Sequence, residues 1–180
     1  MQVFLEGGYA GTSMDRVAAK AGVSKHTIYN HFQNKDGLFV ALIERLTLRH
    51  FQLEFGCQLP VADPPEQVLQ RLAYMMLGRM DDPEYIAFIR LMMAESGRFP
   101  HLAQLYVQQV IQRGNKILSE YFQAHPELKI ADPRATAHIF FGSLVAYIMS
   151  QEVLHGKHII PIPKENLVDN LIQLILCAQK

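Results

Sequence analysis

No proline occurs before Pro60, no apolar run approaches the roughly 20 residues that a membrane-spanning helix needs, and neither charge sign is in surplus. Each absence excludes something. Seventeen basic residues balance seventeen acidic ones, which argues against a chain coated in positive charge but leaves room for a local nucleic-acid face. There are only two cysteines, Cys57 and Cys177, far apart and without metal-ligand spacing, and the reducing cytoplasm is the compartment this implies. The first residues, Met1 to Glu6, lack a basic flank and a long apolar stretch, so no signal peptide is expected. No Gly-rich phosphate loop occurs. None of the eight histidines stands at nucleophile or metal spacing, and His155 and His158 straddle Gly156 at a helix end. No enzyme, cofactor, metal site or membrane association is expected. What is there is apolar: 49% of residues are hydrophobic and 19% charged, ample for a folded core.

Prolines divide the later chain. They fall at 60, 64, 65, 83, 100, 126, 133, 161 and 163, between segments of helical apolar spacing. Proline is tolerated in a first helical turn and breaks interiors, so these positions mark helix boundaries. The expected helices run over about 64–80, 83–96, 100–124, 133–155 and 163–178, with Asp63, Asp82 and Asp132 as caps and Gly97 and Gly156 as terminators. No trustworthy period-two pattern, repeat or low-complexity segment is present, so the fold is expected to be all-α. The first 48 residues differ, with short helices broken by Gly7, Gly8, Gly11 and Gly22. A helix over about 36–55 should join this head to a larger body, giving domains over 1–48 and 49–180.

Within the head, Thr12 is expected to cap a helix with Asp15 as its reciprocal partner. Met14, Val17, Ala18 and Ala21 form its apolar stripe. Gly22 permits a left-handed turn, Val23 should plug the core beneath it, and Ser24 should cap a second helix over 25–32 whose buried side is Ile28 and Phe32. Two short helices joined by a glycine-containing turn form a helix-turn-helix. The residues left outside, Lys25, His26, Thr27, Tyr29 and Asn30, are rich in donors and carry no acid. In this geometry the N-terminal half of the second helix reaches base edges. Lysine can reach guanine, asparagine can pair with adenine, and a threonine methyl can touch thymine. Tyr29, His31 and Lys35 are placed to hold phosphates, and Asn34 should cap a third helix whose N-terminus adds backbone donors.

The stretch from Gly8 to Asp15, followed by Val17-Ala18, Ala21 to Lys25, Thr27 to Tyr29, His31-Phe32 and Asn34 to Phe39, resembles the DNA-binding domain of the TetR/AcrR family. The later residues Arg90-Leu91 through Glu95, with Arg98-Phe99-Pro100, resemble the ligand-binding body of its AefR-like branch. The resemblance implies a homodimer on double-stranded DNA at a palindromic operator, with release when a small hydrophobic or amphipathic inducer binds the body. Repression is the family default. Carried over by position, base-facing sites fall on Lys25, His26, Thr27 and Asn30, and phosphate-facing sites on Thr12, Ser24, Tyr29, His31 and Lys35. His26 departs from the small or flexible residue often found there.

In the family the first helix begins well before the Gly-Tyr turn, behind a basic arm; here only Gln2 to Glu6 precede Gly7. The expectation is a first helix shortened by processing, by cloning or by a misassigned start. Within 1–48, Arg16, Lys20, Lys25, Lys35 and Arg45 face Glu6, Asp15, Asp36 and Glu44, a net of +1. Phosphate neutralisation drives non-specific affinity, and few cations are available for it. The alternative is therefore a dimeric small-molecule binder with impaired DNA binding.

The body is rich in Tyr, Phe and Met over 64–124. Pocket candidates are Tyr74, Met75, Met80, Phe88, Met92, Tyr106 and Val110, joined by His138 and Tyr147. Arg90 and Glu95 are further polar residues on otherwise apolar helices. The last two helices are apolar on most faces, with Gly142 and Ala146 as a small-residue pair. Such helices require burial on nearly all sides. A two-fold four-helix bundle is expected, with Phe141, Val145, Ile148, Met149, Leu171, Ile172 and Ile175 at the interface.

Overall fold

A computed structural model describes residues 1–177. Among these there are helices and turns and no β-strand. In chain order the helices are α1 (Gln2–Gly7), α2 (Met14–Ala21), α3 (Lys25–Phe32), α4 (Lys35–Ile43), α5 (Arg49–Phe55), α6 (Pro65–Leu77), α7 (Pro83–Ser96), α8 (Pro100–Tyr106), α9 (Arg113–Gln123), α10 (Pro133–Ile148) and α11 (Lys164–Cys177). Prolines open α6, α7, α8 and α10 as the missing N–H dictates. Asp132 caps α10, its Oδ1 accepting the N–H groups of Arg134 and Ala135 at 3.0 Å each. Asp63 does not cap α6; its carboxylate instead accepts from Arg71 at 3.3 Å, and Pro64 holds the cap position. The expected end of the last helix at Ala178 lies outside the described residues.

Three helical runs are interrupted without being broken. Glu44–Leu48, Val107–Gln112 and Met149–Val153 are π-helical, joining α4 to α5, joining α8 to α9, and extending α10. In the first, the N–H of Arg49 donates to the carbonyl of Glu44, five residues back. The single expected helices over 36–55, 100–124 and 133–155 are therefore each composite.

The chain forms two compact units. Among the described residues, one comprises 1–49 with 83–111 and the other 50–82 with 112–177. The head thus shares its unit with α7 and α8, whereas the expected division ran cleanly at residue 48. Phe4, Phe39, Ile43, Phe88 and Leu102 are wholly buried in the first unit. Phe39 bridges Phe4 and Phe88, with ring centroids 5.8 and 5.5 Å away. In the second unit α9 packs along α10 and α11 along α6, over a core of Val68, Leu69, Leu72, Leu118, Phe140, Leu144 and Val168. Among the described residues no helix is long and apolar enough to cross a membrane.

Candidate nucleic-acid interface and ligand cleft

Capping chemistry sets the frame of the interface. Ser13, not Thr12, begins α2: its Oγ accepts the N–H of Arg16 at 3.2 Å. Thr12 is buried and faces inward, its hydroxyl contacting the carbonyls of Gly8 (2.8 Å) and Val3 (3.1 Å). A hydroxyl engaged there cannot face a phosphate, so Thr12 ties α1 to the turn before α2. Gly22 closes α2 at φ 67, ψ 27, the left-handed conformation that glycine adopts without cost. Val23 does not plug the core; it is 42% exposed. Ser24 then caps α3, accepting the N–H of Thr27 at 3.1 Å and lying 2.8 Å from its hydroxyl. Asn34 caps α4 by accepting from Gly37 at 2.8 Å.

Only Ile28 of α3 is fully buried, and Phe32 is half-buried. The opposite surface displays Lys25, His26, Thr27, Tyr29, Asn30 and His31, all exposed. Lys25 Nζ lies 2.5 Å from Asp15 Oδ2, and that hydrogen bond raises the affinity of the amine for its proton. Asn30 Nδ2 lies 3.0 Å from His26 Nε2. Tyr29 is 47% exposed, and the His31 ring leans on Phe32 with centroids 6.0 Å apart.

Lys35 differs from its sequence reading. It is half-buried, donates to the Tyr9 carbonyl at 2.9 Å and sits 4.1 Å above the Tyr9 ring. Its charge is directed into the protein by a hydrogen bond and a cation–π contact. Tyr9 is the hub that sequence reasoning missed. Its ring packs among Phe4, Phe39, Phe99 and His101, its hydroxyl donates to Asp36, and its N–H donates to Glu95 at 3.3 Å. Burial and the Asp36 carboxylate hold the phenol far above its ordinary range. Glu95 is thus a brace for the head and not a pocket residue. A signal lay in Gly8, where a Cβ would come within 2.4 Å of the Glu95 carboxylate.

The nine pocket candidates do not converge. Tyr74 and Met75 line a cleft of about 820 Å³ between α5 and α6, with His50, Leu53, Glu54, Arg71 and Arg79 among the other walls. Arg71 bridges Glu54 (3.0 Å) and Asp63 (3.3 Å) at its rim; Arg79 is buried, paired with Asp82 at 2.9 Å and in contact with His50. Met80 and Tyr147 line a second cavity of about 360 Å³ with Gln151 and Lys157, and the Tyr147 hydroxyl donates to the Ile162 carbonyl at 2.6 Å. Phe88 is core in the other unit, between Phe39 and Tyr106. Tyr106, whose phenol is pushed up by burial beside Tyr85, belongs to that unit too, as do the half-buried Met92 and Val110. His138 is exposed on α10, with Asn115 3.4 Å away.

The interface candidates divide as well. Ile148, Leu171, Ile172 and Ile175 are buried within the chain, because one flank of α10 and of α11 already packs inside the unit. Phe141 is half-buried, its ring 3.6 Å from where a Cβ on Gly114 would stand, and Met149 is half-buried. Val145 remains on the surface, 46% exposed. Around it Ala135, Ile139, Gly142 and Ala146 are also exposed at helical spacing, and α11 contributes Leu174, 71% exposed. Sequence reasoning counted Ile139 and Leu174 among the apolar residues of these helices without choosing them for the interface; the two three-residue steps from Val145 through Gly142 back to Ile139 carried the signal.

Comparison with known proteins agrees with this geometry. Residues 1–42 match the model of bacterial regulatory proteins of the tetR family. Residues 67–178 match the AefR-like transcriptional repressor C-terminal domain. The chain is 28% identical over 171 residues to YhgD of Bacillus subtilis, an HTH-type transcriptional regulator, covering 91% of this chain and 84% of YhgD. Its fold is similar to that of a TetR-family regulator from Mesorhizobium loti, with a TM-score of 0.74 and 26% identity over 98% of this chain and 91% of the other. The flavonoid-responsive regulator FrrA gives a TM-score of 0.73 at the same identity and coverage. The chain belongs to the TetR family of transcriptional regulators and carries an AefR-like C-terminal domain.

Proposed function

We propose that this regulator is a ligand-responsive repressor that binds a palindromic operator as a homodimer in the cytoplasm and is released by a small hydrophobic or amphipathic molecule. The carrying observation is the surface of α3, where Lys25, His26, Thr27 and Asn30 stand exposed on a helix capped by Ser24. A capped, exposed helix N-terminus with amine, imidazole, hydroxyl and amide groups suits base edges in the major groove. Ser24, Tyr29 and His31 flank it as phosphate contacts. The functional domains are 1–48 for DNA and 49–180 for ligand and dimer. The 820 Å³ cleft beside Tyr74 and Met75 is the inducer site, with Leu53, Tyr74 and Met75 as its apolar lining, Arg71 at its rim and the buried Arg79 in its wall. The exposed face of Ile139, Val145 and Leu174 meets its copy across the two-fold axis.

A genomic footprint tests this reading. Protection of an inverted repeat near the protein's own gene is expected, and a footprint without two-fold symmetry would overturn the dimeric operator. A second reading, a dimeric ligand binder with little DNA affinity, draws on Lys25 and Lys35 being engaged by Asp15 and Tyr9. Electrostatic attraction to phosphates is strongest at low salt. Complete absence of a gel shift there would favour the second reading.

A further inference from the structure

The charges that line the cleft between α5 and α6 cancel. Arg71 and Arg79 stand against Glu54 and Asp82, and each cation is already held. Arg71 bonds Glu54 at 3.0 Å and, beyond the lining, Asp63 at 3.3 Å. Its guanidinium also lies over the Phe55 ring, 4.9 Å from the centroid. Arg79 is buried, paired with Asp82 at 2.9 Å and in contact with His50. Burial, with Asp169 and Glu165 of α11 nearby, raises the Tyr74 phenol. Those two carboxylates are exposed and screened by solvent, and they offer an anion nothing.

The polar groups left over are uncharged. Gln67, Gln70 and Tyr74 share with Arg71 the face of α6 that lines the cleft, while Val68, Leu69 and Leu72 on the opposite side are core. Among the described residues no hydrogen bond engages the Gln67 or Gln70 amide or the Tyr74 hydroxyl. Together these offer both donors and acceptors. An anion could reach Arg71 only by displacing Glu54 or Asp63. That exchanges one carboxylate for another without gain in pairing, while the incoming ion still loses hydration. A cation meets the same obstacle at Glu54 and Asp82, which the two arginines hold. A neutral amide or hydroxyl has far less hydration to lose, and it finds open partners.

We propose that the cleft takes an uncharged amphipathic molecule, an apolar body bearing amide- or hydroxyl-type groups, and discriminates against carboxylates and ammonium ions of the same body. This rests on the cleft being the inducer site. The test is equilibrium dialysis of the full-length protein with three probes that share an octyl chain: octanamide, octanoate and octyltrimethylammonium. Near neutral pH octanoate is ionised. Octanamide should bind at least about tenfold more tightly than either ion. Two variants link that preference to the cleft. Glu54→Gln removes one of the two lining acids, and should tighten octanoate about threefold while leaving octanamide unchanged. Gly78 lines the cleft in an ordinary right-handed conformation, and a Cβ there would meet nothing within 4 Å. Gly78→Leu should therefore fold, as a melting curve reports, and lose octanamide by filling the cleft. Either ion binding wild type as tightly as octanamide overturns the proposal, as does an octanoate affinity that Glu54→Gln leaves unchanged. Octanamide binding that survives Gly78→Leu, or binding by none of the three probes, overturns the cleft as the inducer site and takes the proposal with it, a separate and distinguishable failure.

Discussion

Lys25 has to exchange one anion for another if it is to serve DNA. In the isolated chain its ammonium is held by Asp15 at 2.5 Å, with both side chains half or more exposed. A surface pair of this kind is worth little to stability and is screened by salt, but the carboxylate also repels incoming phosphates. Asp15→Asn should therefore tighten binding to an arbitrary duplex at low salt and steepen the logarithmic salt dependence by about one unit, as one more cation meets a phosphate. Fluorescence anisotropy across a salt series measures this; an unchanged slope would assign Lys25 no phosphate. A second titratable residue lies in the other unit. Burial, reinforced by Asp63 and Glu127, pushes the Tyr121 phenol up to about 12. Ionisation in the unfolded chain occurs near 10, so the folded state holds the proton more tightly between those values. Tyr121 contributes stability that is present below about pH 10 and lost as pH rises through about 12. Phenolate absorbance should show a late step that Tyr121→Phe removes, and chemical melts of that variant should fall less steeply over the same window. Which serine or threonine caps a helix is a residue-scale matter, and here the sequence was legible for Ser24, Asn34 and Asp132 but not for Ser13. Thr12 and Ser13 are both good caps; the carbonyls of Val3 and Gly8, distant in pattern though near in space, took Thr12 inward.

At the scale of the element, the turn between α3 and α4 carries the strain. Gln33 stands at φ 62, ψ −52, and the N–H of Asn34 donates to the carbonyl of Phe32 at 2.7 Å. This is a γ-turn of the rare hand, strained for a residue with a Cβ. Gln33→Gly should raise stability by about 1 kcal/mol in a denaturant melt; a loss would mean that the glutamine side chain holds the turn. On the other side of the same turn, a Cβ on Gly37 would lie 2.0 Å from the Phe32 carbonyl, so this close approach requires glycine. The Ser24 cap is a simpler case, and Ser24→Ala should cost about 1 kcal/mol. Helix existence was legible because prolines and capping residues punctuate the chain. The π segments were not, since apolar residues cover most faces of 133–155 and a one-residue surplus shifts a stripe that is already nearly continuous.

For the whole molecule, the question is which apolar residues are left for a partner. Val145 and Leu174 are exposed, while Ile172 is 3% exposed. Val145→Asp and Leu174→Glu should give monomers in sedimentation equilibrium with helical content retained. Ile172→Glu should unfold the chain, because a buried unpaired charge costs several kcal/mol. Dimers persisting in both surface variants would move the interface elsewhere. The sequence marked α10 and α11 as apolar nearly all round but did not say which side the chain uses for itself. That depends on α9, which folds back along α10, and on α6, remote in sequence from both, which supply the inner walls. The same limit explains the dispersed pocket candidates: aromatic and methionine content marks apolar contact without saying whether core or cleft receives it, and Phe88 and Tyr74 went opposite ways.

The π segments also bear on how this chain should be aligned and mutated. Each turn of Glu44–Leu48, Val107–Gln112 and Met149–Val153 holds more residues than the 3.6 of an α-helical turn. A ruler of 3.6 residues laid from Lys35 or Pro100 slips past these points, and inner and outer faces are misassigned beyond them. Relatives that keep plain α-helix there should align with single-residue gaps at these places. Scanning substitutions along those helices should be phased afresh after Leu48, Gln112 and Val153.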